Sequence, residues 1–407
     1  MKKPLLTTFV GSEETLLAAI EAGADHLILE DSKLAVRSYT DDFLMLGFEK
    51  IKTLACLARE RKALINLSVN VDLMMHNKDF ALLDILLHVL RSLNLWRVRV
   101  QDTGLISYLK DKDDRYVIDL ATETSNNNIP SIEFYQNLGV NQQTLTNEMS
   151  KNNLYKVRNH LKEGSFEIQV QGPILLQYTH RRLMAGFHTQ RGESEALPEQ
   201  LETIMHKIAI DPTRKAQKFP FYDNPHGHLM YFWADRCLLK YIIDLVALGL
   251  DSWLVDARGE SIDYLKESLR VYRLEMERYC SDPNSYQSVG VEVIEGLKNV
   301  AKRPFKAGFF LANRTDYVKR KRDAVQQRQI VAQVLDTIKG ESFVVQVIHA
   351  LREGQTYQIV TPEGRESSIV LTAMTNLLGV SLKEASAGAL VKLPWVARVL
   401  VRSLILL

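Results

Sequence analysis

Cysteine is scarce in this sequence, with three residues in a chain of 407. Cys56, Cys237 and Cys280 lie far apart and form neither a CxxC pair nor the framework of a disulfide-stabilised protein. Cys56 and Cys237 fall in apolar helical patterns, which predicts that both are small core residues. The HExxH and GxSxG patterns of hydrolases are absent too, and no cysteine has the context of a nucleophile. Nothing in the sequence therefore supports a proteolytic mechanism.

Long apolar runs are also missing. No stretch reaches the roughly 18 consecutive apolar residues that a transmembrane helix needs. The amino-terminal stretch MKKPLLTTFVGSEE has too few apolar residues before its acids to be a signal peptide. We therefore expect a cytoplasmic protein with no membrane partner.

A strong net charge is absent, because 51 lysines and arginines face 49 acids and the net charge is +2. No global field favours nucleic acid, so any contact with RNA must come from a local basic run. The most compact run is KRKR, and Lys302, Arg303 and Lys306 precede it in the sequence. An exposed start of a helix is the alternative interpretation of this run. The candidate RNA-binding residues are Lys319, Arg320, Lys321 and Arg322.

The first 280 residues alternate short apolar runs with helical patterns, and eight of these runs have the length of buried strands. Glycines that follow helical patterns, as in AGAD and LGLD, predict turns from helix to strand. Eight strand–helix units predict an α/β fold, a (β/α)8 barrel of the TIM type. The predicted strands are residues 4–9, 26–30, 63–69, 95–100, 116–121, 142–146, 166–171 and 251–256.

The same patterns predict how the chain divides into domains. We predict the barrel over residues 1–285, with a polar insertion near 186–232 that forms a loop or a small helical segment. Residues 286–326 are predicted to form a linker that contains one helix. From 327 to 407, short alternating strands are separated by KGE, REG, PEG and SAG turns. That spacing predicts a small antiparallel β-barrel domain at the carboxyl terminus.

The order of several motifs resembles the peptidase U32 family, the so-called collagenase-like peptidases. GSEETLLAAIEAGADHLIL is similar to the opening of that family, and VQDTGLISYL is similar to its VQDxGL element. LGLDSWLVDARGES is similar to its GxDSLKIEGR element. The resemblance covers most of the chain, implies the barrel fold, and places Arg37, Asn70 and Arg258 on family motifs.

Residues 166–184, FEIQVQGPILLQYTHRRLM, are similar to the family signature, in which cysteines hold a [4Fe–4S] cluster in well-studied members. At the two cysteine positions this chain has Leu175 and Arg182. A cluster of this kind needs thiolate ligands. We therefore expect no [4Fe–4S] cluster, and we predict no other cofactor and no metal site. Where the cluster would lie, the chain has a basic triplet, His180, Arg181 and Arg182. This triplet is either an anion site or a solvated charge run.

The carboxyl-terminal segment GQTYQIVTPEG looks like the tail of the bacterial tRNA hydroxylation members of the family. Those proteins are associated with forming 5-hydroxyuridine at the tRNA wobble position with the use of prephenate. The resemblance implies that this chain performs or assists an RNA modification, with tRNA as its partner. Two alternatives stay open: a non-catalytic subunit that binds a second, cluster-bearing U32 protein, and a hydrolase, as the family label suggests.

Active sites of such barrels lie at the carboxyl ends of the strands. A fixed guanidinium suits a carboxylate or a phosphate, which favours Arg258, although an ion pair with Asp256 or Asp102 is the alternative. Asp102 and Glu148 stand just before helices, where a carboxylate can act as a cap instead. The catalytic candidates are Asp102, Glu148, Asp256 and Arg258, and the substrate-binding candidates are Arg37, Asn70, Gln101 and Tyr178. We expect all of these except Asp256 and Tyr178 to converge on one pocket.

Overall fold

The computed structural model of the protein describes residues 3–37, 48–121, 126–190, 205–210, 217–311 and 329–407. The chain folds into two compact units, Met1–Asp316 and Tyr317–Leu407. Each unit has its own buried hydrophobic cluster. No helix in the described ranges is long and apolar enough to cross a membrane.

The strands of the first unit form one continuous sheet. They are β1 (Leu5–Val10), β2 (His26–Leu29), β3 (Asn66–Val71), β4 (Arg97–Val100), β5 (Val117–Leu120), β6 (Gln142–Leu145), β7 (Phe166–Thr179), β8 (Met205–Ile210), β9 (Lys218–Asn224), β10 (Gly227–Cys237), β11 (Ser252–Val255) and β12 (Phe305–Lys306). β1 to β7 pair in chain order, and β11 pairs in parallel with both β7 and β1. These eight strands close a parallel barrel, so the predicted α/β barrel and its eight strands are confirmed.

Helices follow the barrel strands. They are α1 (Glu13–Glu21), α2 (Glu49–Arg61), α3 (Asp79–Ser92), α4 (Thr103–Lys112), α5 (Ile129–Asn137), α6 (Lys151–His160), α7 (Leu183–Gln190), α8 (Ile242–Ala247), α9 (Ile262–Ser281) and α10 (Val291–Asn299). Ser12, Asp102, Asn128, Ser150 and Ser261 cap the amino termini of five of them by accepting a backbone N–H. Because these caps come soon after strand ends, they bring polar side chains to the barrel mouth.

Burial explains why the barrel strands appear in the sequence as apolar runs. Every residue of β2 and of β11 is buried, as expected for parallel strands covered by helices. The helices bury one face each, and in α3 that face includes Leu83, Leu86 and Leu90. The barrel wall therefore forms a rigid base for the side chains at its mouth.

The insertion differs from the expected loop or small helical segment. In its described part it contains α7 and three antiparallel strands. β8 pairs with β9, β9 with β10, and β10 with the second half of β7, which continues well past the barrel. The turn between β9 and β10 needs Gly227, because its φ is +140° and a Cβ there would lie 2.1 Å from the carbonyl oxygen of Thr179. Pairing with β7 thus gives this polar stretch a sheet structure.

One cysteine lies elsewhere than predicted. Cys56 is exposed, because the buried face of α2 is formed by Leu54, Ala55 and Ala58. The prediction that Cys56 is a core residue was therefore wrong. Cys237 ends β10 rather than lying in a helix, and it packs against the core with partial burial.

The second unit is antiparallel β-structure around a separate core. Its strands are β13 (Ile330–Ile338), β14 (Ser342–Val347), β15 (Leu351–Arg352), β16 (Thr356–Val360), β17 (Glu366–Val370), β18 (Thr375–Asn376), β19 (Glu384–Ala385), β20 (Leu390–Pro394) and β21 (Leu404–Leu406). Seven of them form one sheet in the order β17-β16-β21-β13-β14-β20-β18, and β15 pairs with β19. Alternate residues point into the core, as Val391 and Leu393 do in β20.

Candidate functional site

Two arginines and two carboxylates form a cluster at the mouth of the barrel. Glu30 directly follows β2, whereas Asp256 and Arg258 follow β11. The Nη1 of Arg258 donates to Glu30 Oε1 at 2.8 Å. Its Nε and Nη2 donate to the two oxygens of Asp256 at 3.0 and 2.8 Å, a bidentate pair. Arg37 adds an ion pair to Asp256 at 3.3 Å.

Neighbouring residues fix this cluster in place. The Nδ2 of Asn70, in β3, donates to Glu30 Oε1 at 2.9 Å. The guanidinium carbon of Arg258 lies 3.5 Å from the ring centroid of Phe9, which is a cation–π contact. The β7 backbone also passes close by, because a Cβ on Gly172 would lie 1.9 Å from the carbonyl oxygen of Asp256. Strands β1, β2, β3, β7 and β11 therefore all hold this cluster.

The two carboxylates of the cluster have opposite pKa shifts. Burial raises the pKa of Glu30 to about 7, although the charge of Arg258 opposes that rise. Burial alone would also raise the pKa of Asp256, but Arg258 and Arg37 outweigh it and the pKa is lowered. The Oε1 of Glu30 is occupied by Arg258 and Asn70, and its Oε2 accepts no hydrogen bond from the described residues. Glu30 can therefore exchange a proton near neutral pH.

A cavity of about 190 Å³ opens beside the cluster, and we call it the arginine cavity. Its lining includes Phe9, Ser12, Glu30, Arg37, Arg258 and Ser261. Ser12 and Ser261 are the caps of α1 and α9, so the amino-terminal ends of two helices border the cavity. Backbone N–H groups at such ends favour an anionic group. The cavity thus combines arginines and helix ends with a carboxyl that can change its charge.

A second cavity of about 230 Å³ lies at the ends of β4, β6 and β7, and we call it the glutamine cavity. Its lining includes Gln101, Asn147, Glu148, Leu175, Tyr178 and Phe309. The hydroxyl of Tyr178 donates to the carbonyl oxygen of His226 at 3.0 Å. Glu148 is exposed, and Ser150 rather than Glu148 caps α6.

The predicted candidates therefore lie around two cavities rather than in the single pocket that we expected. Arg37 and Arg258 line the arginine cavity, whereas Gln101 and Glu148 line the glutamine cavity. Asp102 is the cap of α4, since its Oδ1 accepts from the N–H of Leu105 and its Oδ2 from that of Met75, both at 3.1 Å. Its two oxygens are thus occupied by backbone donors, as the capping alternative predicted. The chemical roles assigned to the other candidates stay predictions.

The histidines near the mouth make contacts within the protein. His226 Nε2 lies 2.7 Å from the carbonyl oxygen of Ser32, and the hydroxyl of Tyr178 lies 3.2 Å from His180 Nδ1. Within the part of the chain that the structure describes, no three histidines, cysteines or acids are grouped to hold a metal ion. The basic run Lys319, Arg320, Lys321 and Arg322 lies outside the described residues.

Sequence patterns did not place Glu30 or Phe9 among the catalytic or substrate-binding candidates. A signal for Glu30 was present, because it directly follows the buried strand HLIL and so belongs to the polar residues at the strand ends. Nothing in the pattern set it apart from the other acids there. Phe9 gave no signal, since an aromatic residue near a strand end is more often part of the core.

The residues at the signature positions do not fit a [4Fe–4S] cluster. Leu175 presents a hydrocarbon side chain to the glutamine cavity, and Arg182 is a cation. The cysteines lie on three separate elements, with Cys56 on α2, Cys237 on β10 and Cys280 on α9. Such a cluster is held by thiolates, which this position does not offer.

Comparisons with known proteins include one family model that matches most of the chain. The sequence profile of peptidase family U32 matches residues 11–320. The tRNA hydroxylation protein P1 of Bacillus subtilis is 24% identical, over 76% of this chain and 71% of that protein. The tRNA hydroxylation protein P of Escherichia coli is 20% identical, over 94% of this chain and 91% of that protein. Among solved structures, the U32 peptidase Mk0906 is 14% identical with a TM-score of 0.40, over 64% of this chain and 95% of that one. Because the profile spans most of its length, this chain belongs to peptidase family U32.

Proposed function

We propose that this protein acts in tRNA modification of the wobble-uridine hydroxylation type, without an iron–sulfur cluster of its own. Two relatives that match most of the chain are named tRNA hydroxylation proteins. The observation that carries the proposal is the cluster of Glu30, Arg37, Asp256 and Arg258 beside the arginine cavity. Active sites of such barrels lie at this mouth and need side chains that are rigidly held, as the side chains of this cluster are.

In this proposal the arginine cavity binds an anionic small molecule, and Glu30 transfers a proton to or from it. The helix ends and Arg37 attract the anion, for example a carboxylate such as prephenate, which the family resemblance suggests. Arg258 is held by Asp256 and keeps Glu30 in position. Glu30 then donates a proton to the bound molecule, or accepts one from it, through Oε2. This oxygen has no partner among the described residues.

Complementation tests the proposal directly. An E. coli strain that lacks its tRNA hydroxylation protein P would receive this chain, and 5-hydroxyuridine in its tRNA would be measured by mass spectrometry. We expect the unchanged chain to restore the modified nucleoside. Glu30→Gln and Arg258→Lys should reduce it by at least tenfold, because each removes a positioned group. The exposed control Arg270→Lys should have no effect. No modification by a folded, expressed chain would contradict the proposal.

One observation favours a second candidate, a non-catalytic subunit. The signature positions hold Leu175 and Arg182 in place of thiolates. The chain could then depend on a second U32 protein that supplies a cluster. Anaerobic purification from the native host, with iron and sulfide analysis and identification of co-purifying proteins, separates the two candidates. A stoichiometric cluster-bearing partner would favour the subunit, whereas iron bound to this chain alone would contradict both.

A further inference from the structure

The glutamine cavity contains a buried amide that has no hydrogen-bond partner among the described residues. Gln101 is 7% exposed, and among the described residues neither its buried Oε1 nor its Nε2 has a partner. Neighbouring amides behave differently, since Asn147 donates to Gln169 at 2.9 Å and Gln169 donates to the carbonyl oxygen of Pro173 at 2.9 Å. A buried amide without partners costs free energy, and a ligand that supplies those partners recovers it.

The wall around this amide is fixed. Arg236 is fully buried, and its Nη1 donates to Asn147 Oδ1 at 2.5 Å. Asn147 in turn donates to Gln169, so one continuous set of hydrogen bonds links β10, the end of β6 and β7. The cavity is therefore pre-formed. The amide of Gln101, which has no partner among the described residues, contrasts with the paired amides of Asn147 and Gln169 beside it.

The lining of the cavity restricts the chemistry of a ligand. It includes the carboxylate of Glu148 and neither lysine nor arginine, which disfavours an anion. Ile174, Leu175 and Phe309 provide apolar surface for the faces of a ring. The volume of about 230 Å³ is below the roughly 300–1,000 Å³ of pockets for drug-sized molecules, so it suits a single ring. An amide offers one donor and one acceptor side by side, which complements a lactam or imide edge.

We propose that the glutamine cavity binds a single neutral heterocycle through an imide edge, the edge that uracil carries, and that Gln101 recognises that edge. The ring could come from free uridine or from a uridine turned out of an RNA chain. The cavity would recognise the ring in the same way from either source. Only the second source, a uridine within an RNA chain, rests on the proposed function.

A nuclear magnetic resonance titration of the full chain with uridine and with 3-methyluridine tests the proposal. The methyl group replaces the imide N–H and leaves the rest of the ring unchanged. We expect uridine to bind at millimolar concentrations, and 3-methyluridine to bind about tenfold more weakly because one buried hydrogen bond is lost. Gln101→Leu should weaken uridine binding to a similar extent, whereas the exposed control Gln346→Leu should not.

The melting temperature provides an independent measurement. Because Gln101 forms no hydrogen bond within the described part of the protein, Gln101→Leu should melt at or above the temperature of the unchanged chain. A clear decrease would mean that this amide is structural, and would overturn the proposal. So would equal affinity for the two nucleosides, or no uridine binding at all. If uridine binds as expected but the chain restores no tRNA hydroxylation, the cavity assignment stands and the proposed function fails. If the chain restores tRNA hydroxylation but does not bind uridine, the proposed function stands and the cavity assignment fails.

Discussion

The charge of Glu30 should make the stability of the first unit depend on pH. Its folded pKa of about 7 exceeds its ordinary value of 4.5, so the folded protein binds this proton more tightly than the unfolded chain does. The free energy of unfolding contributed by this group is therefore highest below pH 4.5. It falls as the pH rises towards 7, by up to about 3 kcal/mol, and is level above that.

Glu30→Gln removes this titration while keeping the shape of the side chain. Relative to the unchanged protein, the variant should gain stability steadily between pH 4.5 and 7. Urea denaturation across this range measures the difference. Glu21→Gln, on the exposed surface of α1, is the matched control and should show no such trend. A difference between Glu30→Gln and the unchanged chain that does not vary with pH would contradict the assignment.

Arg258 should contribute far more to stability than a surface arginine. Arg258→Met leaves the buried Asp256 and the partly buried Glu30 with one guanidinium fewer, which should cost about 3–5 kcal/mol. Arg270→Met breaks an exposed pair with Glu267 on α9 and should cost about 0–1 kcal/mol. Chemical denaturation at about pH 8, where Glu30 is ionised, compares the two variants. Equal losses would mean that the cluster at the mouth is not a stabilising unit.

At the scale of elements, Gly172 allows the backbone of β7 to pass close to Asp256 at the barrel mouth. Its φ of +115° and the contact of 1.9 Å that a Cβ would make leave no room for a side chain. Gly172→Ala should therefore destabilise the protein by roughly 3 kcal/mol and displace Asp256. Gly186→Ala, on α7 with open space around it, should cost nothing or stabilise slightly. Thermal unfolding of both variants measures this, and similar melting temperatures would count against the close approach.

The elements also show how far the sequence could predict the structure. Buried parallel strands such as HLIL leave a clear apolar pattern. The position of Arg37 and Arg258 beyond strand ends predicted that they share a pocket, and both line the arginine cavity. The antiparallel course of β7 beyond the barrel could not be predicted, because it depends on pairing with β10, a distant partner. The separation into two cavities depends on side-chain packing at the mouth, which no sequence pattern encodes.

At the scale of the whole molecule, tRNA binding should be electrostatic and should use the basic run KRKR at residues 319–322. Replacing Lys319, Arg320, Lys321 and Arg322 with alanine should weaken tRNA binding without changing the fold. The slope of log K against log salt concentration should decrease in size by up to about 3, because each phosphate contact releases counterions. Gel-shift titrations at several salt concentrations measure both effects.

The control for this prediction uses cations elsewhere in the second unit. Alanine at four exposed positions should leave the salt dependence unchanged, namely Lys339, Arg365, Lys383 and Lys392. If the two sets of substitutions act alike, the basic run has no special role. If tRNA does not bind at low salt, the non-catalytic subunit becomes the better hypothesis.

The closure of the barrel by its first and last strands has a consequence during synthesis on the ribosome. The hydroxyl of Thr8 donates to the carbonyl oxygen of Val255, a separation of 247 residues. At about 5–20 residues per second, β1 waits roughly 12–50 s for β11 to emerge. Throughout that interval one edge of β1 lacks its partner, and exposed strand edges promote association between chains. Nascent chains that stop short of Ser252 should therefore be the species most dependent on chaperones.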